Sequence, residues 1–447
     1  MDRSIFGKHG FAVVDTVKIG IVGLGTVGSG VARLLVDHGD RAARRAGRRL
    51  VLEHVVVRDS QKPRDVRLPA GMISTDLKRI TGNPEISTVA HLVGGLEPAR
   101  TILLQLLAAG KDVVTANKAL LAEHGTELFD AARRADRSIA FEAAVAGGIP
   151  IIANINQCLA ANQVLSIHGI LNGTCNFILT EMEDRGANYS AALAEAQRRG
   201  YAEADPTMDV DGTDTVQKLA ILSQLAFGFR PQWREIPCRG IDRVDATDLR
   251  YARELGYRIR LLAVARLGAA GLDLHVSPTL VHTRTPLAEV REAYNAIALT
   301  GDAVGQLFFH GLGAGQMPTA SAVVADLIDM VVGRAKITFH TLQLWSDEPS
   351  HVRLADPAQS SGRHYLRFNV ADRPGVLAEI AGELGRHAIS IASVIQHTQD
   401  GTDGTVPLVI MTHTATEGAM RAAFDAIDRM EHVRAPSSRM RVYGGKV

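Results

Sequence analysis

The stretch KIGIVGLGTVGSG, residues 18–30, decides the fold. A short apolar, strand-like run leads straight into Gly23-x-Gly25-x-x-Gly28, and a helix-like run, 31–36, follows. Strand, glycine turn and helix in that order form the setting in which glycines cradle a dinucleotide pyrophosphate. Gly23 allows the tight turn, Gly25 lets the backbone approach the phosphates, and Gly28 lets the helix pack closely on the strand. The helix N-terminus adds free N–H groups and a positive dipole end. A plain glycine-rich loop is the alternative, and the flanking strand and helix weigh against it.

Outward from this turn, residues 17–146 alternate strand-like and helix-like runs. Strands are expected at 50–58, 89–93, 111–115 and 138–145, and helices at 98–109 and 119–134. Such alternation predicts a Rossmann-type α/β domain, a doubly wound parallel sheet. Residues 1–16 read as a short extension. Residues 147–345 differ in kind, with a strand at 164–171, helices at 176–185, 190–199 and 214–227, and strands at 259–266, 272–281, 295–300 and 304–309. This reads as a mixed α+β domain. The apolar helix within 316–333 is expected to return to the first domain. The polar, proline-containing stretch 346–362 reads as a linker. Beyond it, 363–447 follows the order β-α-β-β-α-β of a ferredoxin-like module. Its strands are expected at 365–370, 389–397, 405–412 and 440–443, and its helices at 375–387 and 417–430.

The chain has 447 residues, 46% hydrophobic and 22% charged, with a formal net charge of +1. That is the balance of an ordinary soluble protein of two or three domains. It gives no reason to expect nucleic acid or an anionic membrane as partner. The basic run Arg41, Arg44, Arg45, Arg48, Arg49 reads as a solvated face. Cys158, Cys175 and Cys238 are too few and too far apart for a disulfide framework or a zinc knuckle. No apolar run is long enough to span a bilayer, and residues 1–15 lack the apolar core of a secretory signal. Cytoplasm is the expected location.

An NAD site usually carries Asp or Glu after its second strand, on the ribose 2′-hydroxyl. Here that strand ends Val57-Arg58-Asp59-Ser60, with Lys62 and Arg64 close behind. Arg58 and Lys62 could neutralise a 2′-phosphate, which favours NADP(H), while Asp59 keeps NAD(H) open. A basic surface loop is the plainer alternative. Lys118, in VVTANK, follows a strand end where doubly wound sheets hold their ligands. A lone lysine there can equally be a solvated surface residue.

The densest chemistry lies in 200–219, GYAEADPTMDVDGTDTVQKL. Glu203, Asp205, Asp209, Asp211 and Asp214 crowd together just before Lys218. With Thr207 at position 1 the segment imitates a calcium loop, but position 12 is Lys218 where that loop needs a bidentate Glu, which excludes the usual site. Asp214 and Lys218 are four apart on an expected helix and share one face. They read either as an exposed ion pair worth about 0.3–0.5 kcal/mol or as an ammonium-binding carboxylate beside a proton-delivering lysine.

Taken together, GLGTVGSG, VRDSQKPR, LVGGLEPA, TANKALLA, FEAAVAGGIPII, GILNGTCNFIL, YAEADPTMDVDGTDTVQKLAIL and GAGQMPTASAVVADL resemble homoserine dehydrogenases. The form in question is bacterial, with a C-terminal ACT domain and no fused kinase. The resemblance runs from about residue 17 to the C-terminus, and the acidic segment is its most specific part. It implies NAD(P)H-dependent, reversible reduction of L-aspartate 4-semialdehyde to L-homoserine, on the branch toward threonine, methionine and isoleucine. Lys218 matches the family's proton donor, Glu203 and Asp214 the groups that hold the substrate ammonium, and Lys118 a lysine near nicotinamide and substrate. Thr26, Val27, Arg58, Lys118 and Gly315 fall at positions the family uses for cofactor. Glu142, Val145, Gly147 and Ile149 match a monovalent-cation site (Na+ or K+) built mostly of backbone carbonyls. Where family members commonly have Glu, this chain has His91. Cys175, in NGTCNF, reads as a small buried residue rather than a redox group.

The run Asp372-Arg373-Pro374-Gly375-Val376 resembles the opening of ACT domains. The resemblance implies feedback inhibition by L-threonine, with the loop from Asp372 to Gly375 and the strand near Gln396 as candidate contacts. A module serving only assembly is the alternative. The resemblance makes 147–345 the substrate-binding and dimerisation domain, and the family's habit implies a homo-oligomer, dimer or tetramer. Two rivals stay open: a non-catalytic sensor of NADP(H) and amino acids on the same fold, and another NAD(P)-dependent enzyme acting on a small amino-acid aldehyde.

Overall fold

Every residue of the first apolar run is now placed: β1 (Thr16–Val22) lies inside a six-stranded parallel sheet, with Ile19 and Ile21 fully buried. The sheet adds β2 (Arg49–Val56), β3 (Ile73–Ser74), β4 (Ile86–His91), β5 (Asp112–Thr115) and β6 (Ile139–Ala140). Their order is β3-β2-β1-β4-β5-β6. Strand order reverses beside β1, which makes the C-terminal end of β1 a topological switch point, where open α/β sheets bind their ligands. The computed structural model describes residues 15–346, 350–397 and 404–444. It divides into one unit of residues 1–158 and 314–349 and a second of 159–313 and 350–447.

In the first unit, the Thr26–Asp37 helix packs against the Gln316–Val331 helix. Gly30 makes that approach possible, because a Cβ there would lie 2.9 Å from both Ala320 Cβ and the Gln316 carbonyl. The basic run falls partly on the Gly39–Ala46 helix, which buries Ala42, Ala43 and Ala46 and turns its arginines outward. The expected strand at 138–145 is cut short. It ends at Ala140 and continues as a 3₁₀ turn, Glu142–Ala144, because the Glu142 N–H donates to Asp326 (2.8 Å) instead of a neighbouring strand. Of the expected extension 1–16, residues 1–14 lie outside the described residues, and Thr16 already belongs to β1.

The second unit holds one ten-stranded sheet. Its central strands are β7 (Val164–Ile170), β8 (Tyr257–Gly268), β9 (Gly271–His282), β10 (Tyr294–Gly301) and β11 (Gly305–Leu312). The C-terminal module supplies β12 (Ser361–Ala371), β13 (Ile391–Gln396), β14 (Thr405–Thr412), β15 (Ala415–Thr416) and β16 (Val433–Val442). The order is β11-β10-β7-β8-β9-β16-β12-β14-β13, with β15 on β12. The last four strands repeat the ferredoxin-like arrangement. The Val376–Arg386 and Glu417–Asp428 helices close their core on Leu366, Phe368, Ile380, Leu384, Met420 and Ile427.

Two sheets become one where β16 runs parallel to β9, pairing Arg441 with Thr279 and Val442 with Leu280. The expected linker 346–362 is correspondingly not a free tether. The Leu272 N–H donates to Arg353 O (2.9 Å) and the Ala355 N–H to Leu272 O (3.0 Å), so the chain is stitched along β9. Gly271 permits this with φ +122°, since a Cβ would sit 2.5 Å from Arg353 O. Residues 347–349 of that stretch lie outside the described residues. Among the described residues no helix is long and apolar enough to cross a membrane.

Candidate active site

In the first unit the glycine turn is shaped around an open surface. Gly23 has φ +98°, and a Cβ on it would lie 2.7 Å from Leu92 O. A Cβ on Gly28 would lie 2.1 Å from Gly23 O. Gly25 is different, exposed with nothing within 4 Å of its Cβ position. Two glycines are therefore demanded by the protein's own packing, and the third leaves room for a ligand to approach the backbone. The Thr26–Asp37 helix that follows has no side-chain cap and no acidic residue in its first turn. Its first N–H groups and dipole are thus available to an anion. Thr26 is exposed and Val27 half-buried beside it. These residues fit the pyrophosphate of a dinucleotide.

After β2, the Asp59 carboxylate accepts the Gln61 N–H (2.9 Å), and the Arg64 guanidinium donates to the carbonyls of Asp59 and Lys62. The loop is thereby folded on itself, leaving the Arg58 and Lys62 side chains exposed. Lys118 is the first residue of the Lys118–Arg134 helix and half-buried. Its neighbour Asn117 caps that helix through the Leu120 N–H (3.0 Å) and donates to Val93 O (3.0 Å) and Gly95 O (2.6 Å). Asn117 so ties the glycine pair after β4 to the end of β5. His91, at the end of β4, is fully buried, and burial pushes its imidazole down to about 4. The neutral ring brings no charge to that position. Gly315 takes φ +127° at the start of the Gln316–Val331 helix, a conformation that requires glycine.

In the second unit, Asp214 and Lys218 lie on the Thr213–Phe227 helix. Lys218 Nζ donates to Asp214 Oδ2 (2.7 Å) and to Leu171 O (2.6 Å). Their side chains are only 12% and 8% exposed, Lys218 and Asp214 respectively, which removes the reading as an exposed ion pair. A lysine ammonium has three N–H donors. Two are taken by fixed acceptors, and the third has none among the described residues.

Asn172, which sequence reasoning passed over, donates from Nδ2 to Asp209 Oδ1 (2.8 Å) and Asp214 Oδ2 (2.9 Å). A signal was present: an Asn after an apolar strand and before a helix is an N-cap pattern. The helix indeed begins at Gly173, three residues before the expected 176. Cys175 is fully buried, its thiol donating to Asp209 O (3.1 Å), and burial raises its pKa well above the ordinary thiol value. Glu203 is not drawn into this cluster. It is exposed, and its carbonyl alone is held, by the Gln197 amide (3.2 Å).

The turn after β6 is buried. The Ile152 and Ala153 N–H groups donate to the Glu142 carboxylate (2.9 and 2.7 Å), and the Ile149 carbonyl accepts the Ile151 N–H (2.8 Å). Burial pushes the Glu142 carboxyl up to about 7 and raises Asp326 beside it as well. The carbonyls of Val145 and Gly147 receive no donor from the described residues. Glu142 and Ile149, by contrast, already accept hydrogen bonds within the turn. Among the described residues no group of three or more His, Cys, Asp or Glu side chains is placed to hold a metal ion.

In the C-terminal module, Asp372, Gly375 and Gln396 line one cleft of about 340 Å³, together with Arg373, Pro374 and Leu408. Gly375 has φ +98° at the start of the Val376–Arg386 helix.

Comparison with known proteins agrees across the chain. The family model for the homoserine dehydrogenase NAD-binding domain matches residues 23–142, that for homoserine dehydrogenase matches 150–328, and that for the ACT domain matches 364–429. A homoserine dehydrogenase of Synechocystis sp. is 44% identical over 435 residues, 96% of this chain and 99% of that protein. The crystal structure of a homoserine dehydrogenase from Thiobacillus denitrificans superposes with a TM-score of 0.88 at 41% identity, covering 96% of this chain and 98% of the other. A hyperthermophilic archaeal homoserine dehydrogenase, solved in complex with NADPH, matches 71% of this chain and 98% of its own, with TM-score 0.60 and 25% identity. The chain belongs to the homoserine dehydrogenase family, as an NAD(P)-dependent oxidoreductase acting on a CH–OH group with a C-terminal ACT domain.

Proposed function

We propose that the protein interconverts L-aspartate 4-semialdehyde and L-homoserine, with Lys218 as the proton donor in reduction. The observation that carries this reading is the Lys218 ammonium, held by Asp214 Oδ2 and Leu171 O with one donor left over. A bound nicotinamide cofactor supplies the hydride. As negative charge develops on the aldehyde oxygen, the free Lys218 N–H stabilises it and then transfers its proton. In the reverse direction the same amine accepts the hydroxyl proton. Asp214 and Glu203 hold the substrate ammonium, and Lys118 contacts cofactor or substrate.

NADP(H) is the favoured cofactor, with Arg58 and Lys62 facing its 2′-phosphate, Gly23, Gly25, Thr26, Val27 and Gly28 its pyrophosphate, and Gly315 a further contact. The archaeal relative's complex with NADPH supports that choice. Glu142, Val145, Gly147 and Ile149 would hold a monovalent cation, Na+ or K+, which would steady the turn after β6. L-threonine binds the cleft at Asp372, Gly375 and Gln396 and inhibits. The enzyme works in the cytoplasm as a homo-oligomer, on the branch toward threonine, methionine and isoleucine.

The test follows NADPH and NADH formation with L-homoserine, with and without L-threonine, in wild type and Lys218→Ala. Turnover on homoserine that falls by at least about 10³-fold in the variant, with cofactor affinity retained, is the expected result. No turnover in wild type would favour a sensor or a different aldehyde substrate, and near-normal turnover in the variant would remove Lys218 from the mechanism.

A further inference from the structure

We propose that Asn172 is a positioning residue for the reaction, its side-chain amide fixing Asp214 and, through Asp214, the Lys218 ammonium. The inference rests on the reading of Lys218 as proton donor.

Orientation of the amide is settled by the chain itself. Asn172 Oδ1 accepts the Cys175 N–H (2.8 Å) as cap of the Gly173–Arg185 helix, so Nδ2 must be the end that faces the acids. Both of its protons then have carboxylate acceptors, Asp209 Oδ1 and Asp214 Oδ2. The residue is 5% exposed, which keeps water from competing for these bonds. Asp214 Oδ2 receives two donors at once, from Asn172 (2.9 Å) and Lys218 (2.7 Å). The preceding residue, Leu171, contributes its carbonyl to the same ammonium (2.6 Å). Two consecutive residues at the end of β7 therefore hold the ammonium and its counter-charge from a second element, while Asp214 and Lys218 share a single helix.

Position i to i+4 on that helix would let Asp214 and Lys218 pair without help. What the pairing alone does not set is the rotation of the Asp214 carboxylate, and with it the direction of the remaining Lys218 N–H. Asn172 removes that freedom. A displacement on the order of 1 Å in a reacting group can cost about 10²-fold in rate.

The rival role is helix capping alone, and Asn172→Ser separates the two. Serine is as good an N-cap but cannot bridge to two carboxylates. Asn172→Asp retains both shape and cap while setting a third carboxylate beside Asp214. For Asn172→Ser the expected result is a kcat with homoserine lower by about 10- to 100-fold, NADPH affinity within about twofold and a thermal midpoint only slightly lowered, by the buried bonds to Asp209 and Asp214 that serine does not replace. Asn172→Asp should lose at least as much. Because Asn172 acts through Lys218, the serine change should alter the residual rate of Lys218→Met by less than about threefold.

A kcat near wild type in either variant overturns the proposal. So does an equal loss in both lysine backgrounds, or activity that declines only in step with thermal stability. If Lys218→Met itself turns over near the wild-type rate, the assignment of the proton donor has failed and the proposal falls with it.

Discussion

Arg367 of the C-terminal module grips Asp248 of the Ala246–Glu254 helix, with Nε on Oδ1 at 2.7 Å and Nη2 on Oδ2 at 3.1 Å. Both side chains are out of water, at 3% and 0% exposure. Tyr365 adds a hydrogen bond to the same Oδ1 (3.0 Å), and burial, with Asp248 beside it, drives its phenol above the ordinary tyrosine range. The module is thus joined to the central layer by buried charge as well as by the β16–β9 pairing. Asp248→Ala would strand a buried guanidinium and should cost about 3–5 kcal/mol in urea unfolding. Asp245 also meets Arg367 (2.6 Å), but its side chain is 43% exposed. Asp245 Oδ1 also caps the helix, accepting the Thr247 and Asp248 N–H groups (2.7 and 3.1 Å), so the control is Asp245→Asn, which keeps the cap and should cost no more than about 1 kcal/mol. Equal costs at the two positions would show that the buried pair is not what secures the joint.

Gly25 is the glycine whose replacement should touch the ligand and not the fold. No atom lies within 4 Å of its Cβ position, and its φ of −82° suits any residue. Gly25→Val should therefore keep the wild-type thermal midpoint while weakening NADPH binding by at least about tenfold, because the branched side chain occupies the pyrophosphate's approach. Gly28→Ala should instead destabilise the unit, its Cβ falling on Gly23 O. Fluorescence titration and thermal melts on both variants check the contrast. Wild-type affinity in Gly25→Val would place the pyrophosphate elsewhere.

Cofactor choice should be carried by Arg58. Its guanidinium is exposed beside the switch point, while Asp59 is occupied in its own loop. A charged contact to a 2′-phosphate is worth about 1.5–3 kcal/mol. Arg58→Ala should accordingly raise KM for NADPH by about 10- to 100-fold and leave KM for NADH within about twofold. Parallel loss on both cofactors would argue for a general role in the loop.

Much of this molecule was legible in the sequence because its signals are local. Glycines in a strand–turn–helix setting, the alternation up to Arg134 and the ferredoxin-like order each follow from runs of neighbouring residues. Non-local events were not legible. Phe141 to Val145 is apolar enough to read as a strand, yet Asp326, far along the chain, claims the Glu142 N–H. The stretch 346–362 is polar enough to read as a tether, yet Gly271 lets residues 353–355 lie along β9. Within the candidate site, Asp214 and Lys218 could be found from their i,i+4 spacing. Asn172 was legible only as a helix cap, because the two acids it joins lie 37 and 42 residues away.

Threonine inhibition should be tested by a point change rather than by removing the module. A truncation near Ala358 would strip β16 from β9 and leave Asp248 without Arg367. Gln396, at the end of β13, lines the cleft with Asp372 and Gly375. Gln396→Ala should raise the threonine concentration for half-inhibition by about tenfold, the loss of one or two hydrogen bonds to a bound amino acid. Uninhibited turnover should stay the same. Unchanged inhibition would move the effector out of this cleft, and absence of inhibition in wild type would leave the module an assembly element.

Acid should weaken the second unit through His364. The side chain is buried on β12, and neither ring nitrogen finds a hydrogen-bond partner among the described residues. Burial pushes its imidazole from the ordinary 6.5 down to about 4; Glu417 opposes that shift, and Arg439, Arg441 and Arg239 reinforce it. In the unfolded chain the ring takes a proton near pH 6.5, and in the folded one only near pH 4. Between those values the unfolded state binds more protons, so stability falls as pH falls. The loss is up to about 3 kcal/mol across the window. His364→Phe removes the titration and two unpartnered polar atoms together. Urea unfolding at pH 7.5 and pH 4.5 should show wild type losing about 2.5 kcal/mol more than the variant between the two conditions. Parallel losses in the two proteins would mean that the His364 ring takes its proton in the fold as readily as in the unfolded chain, so that burial does not hold it neutral.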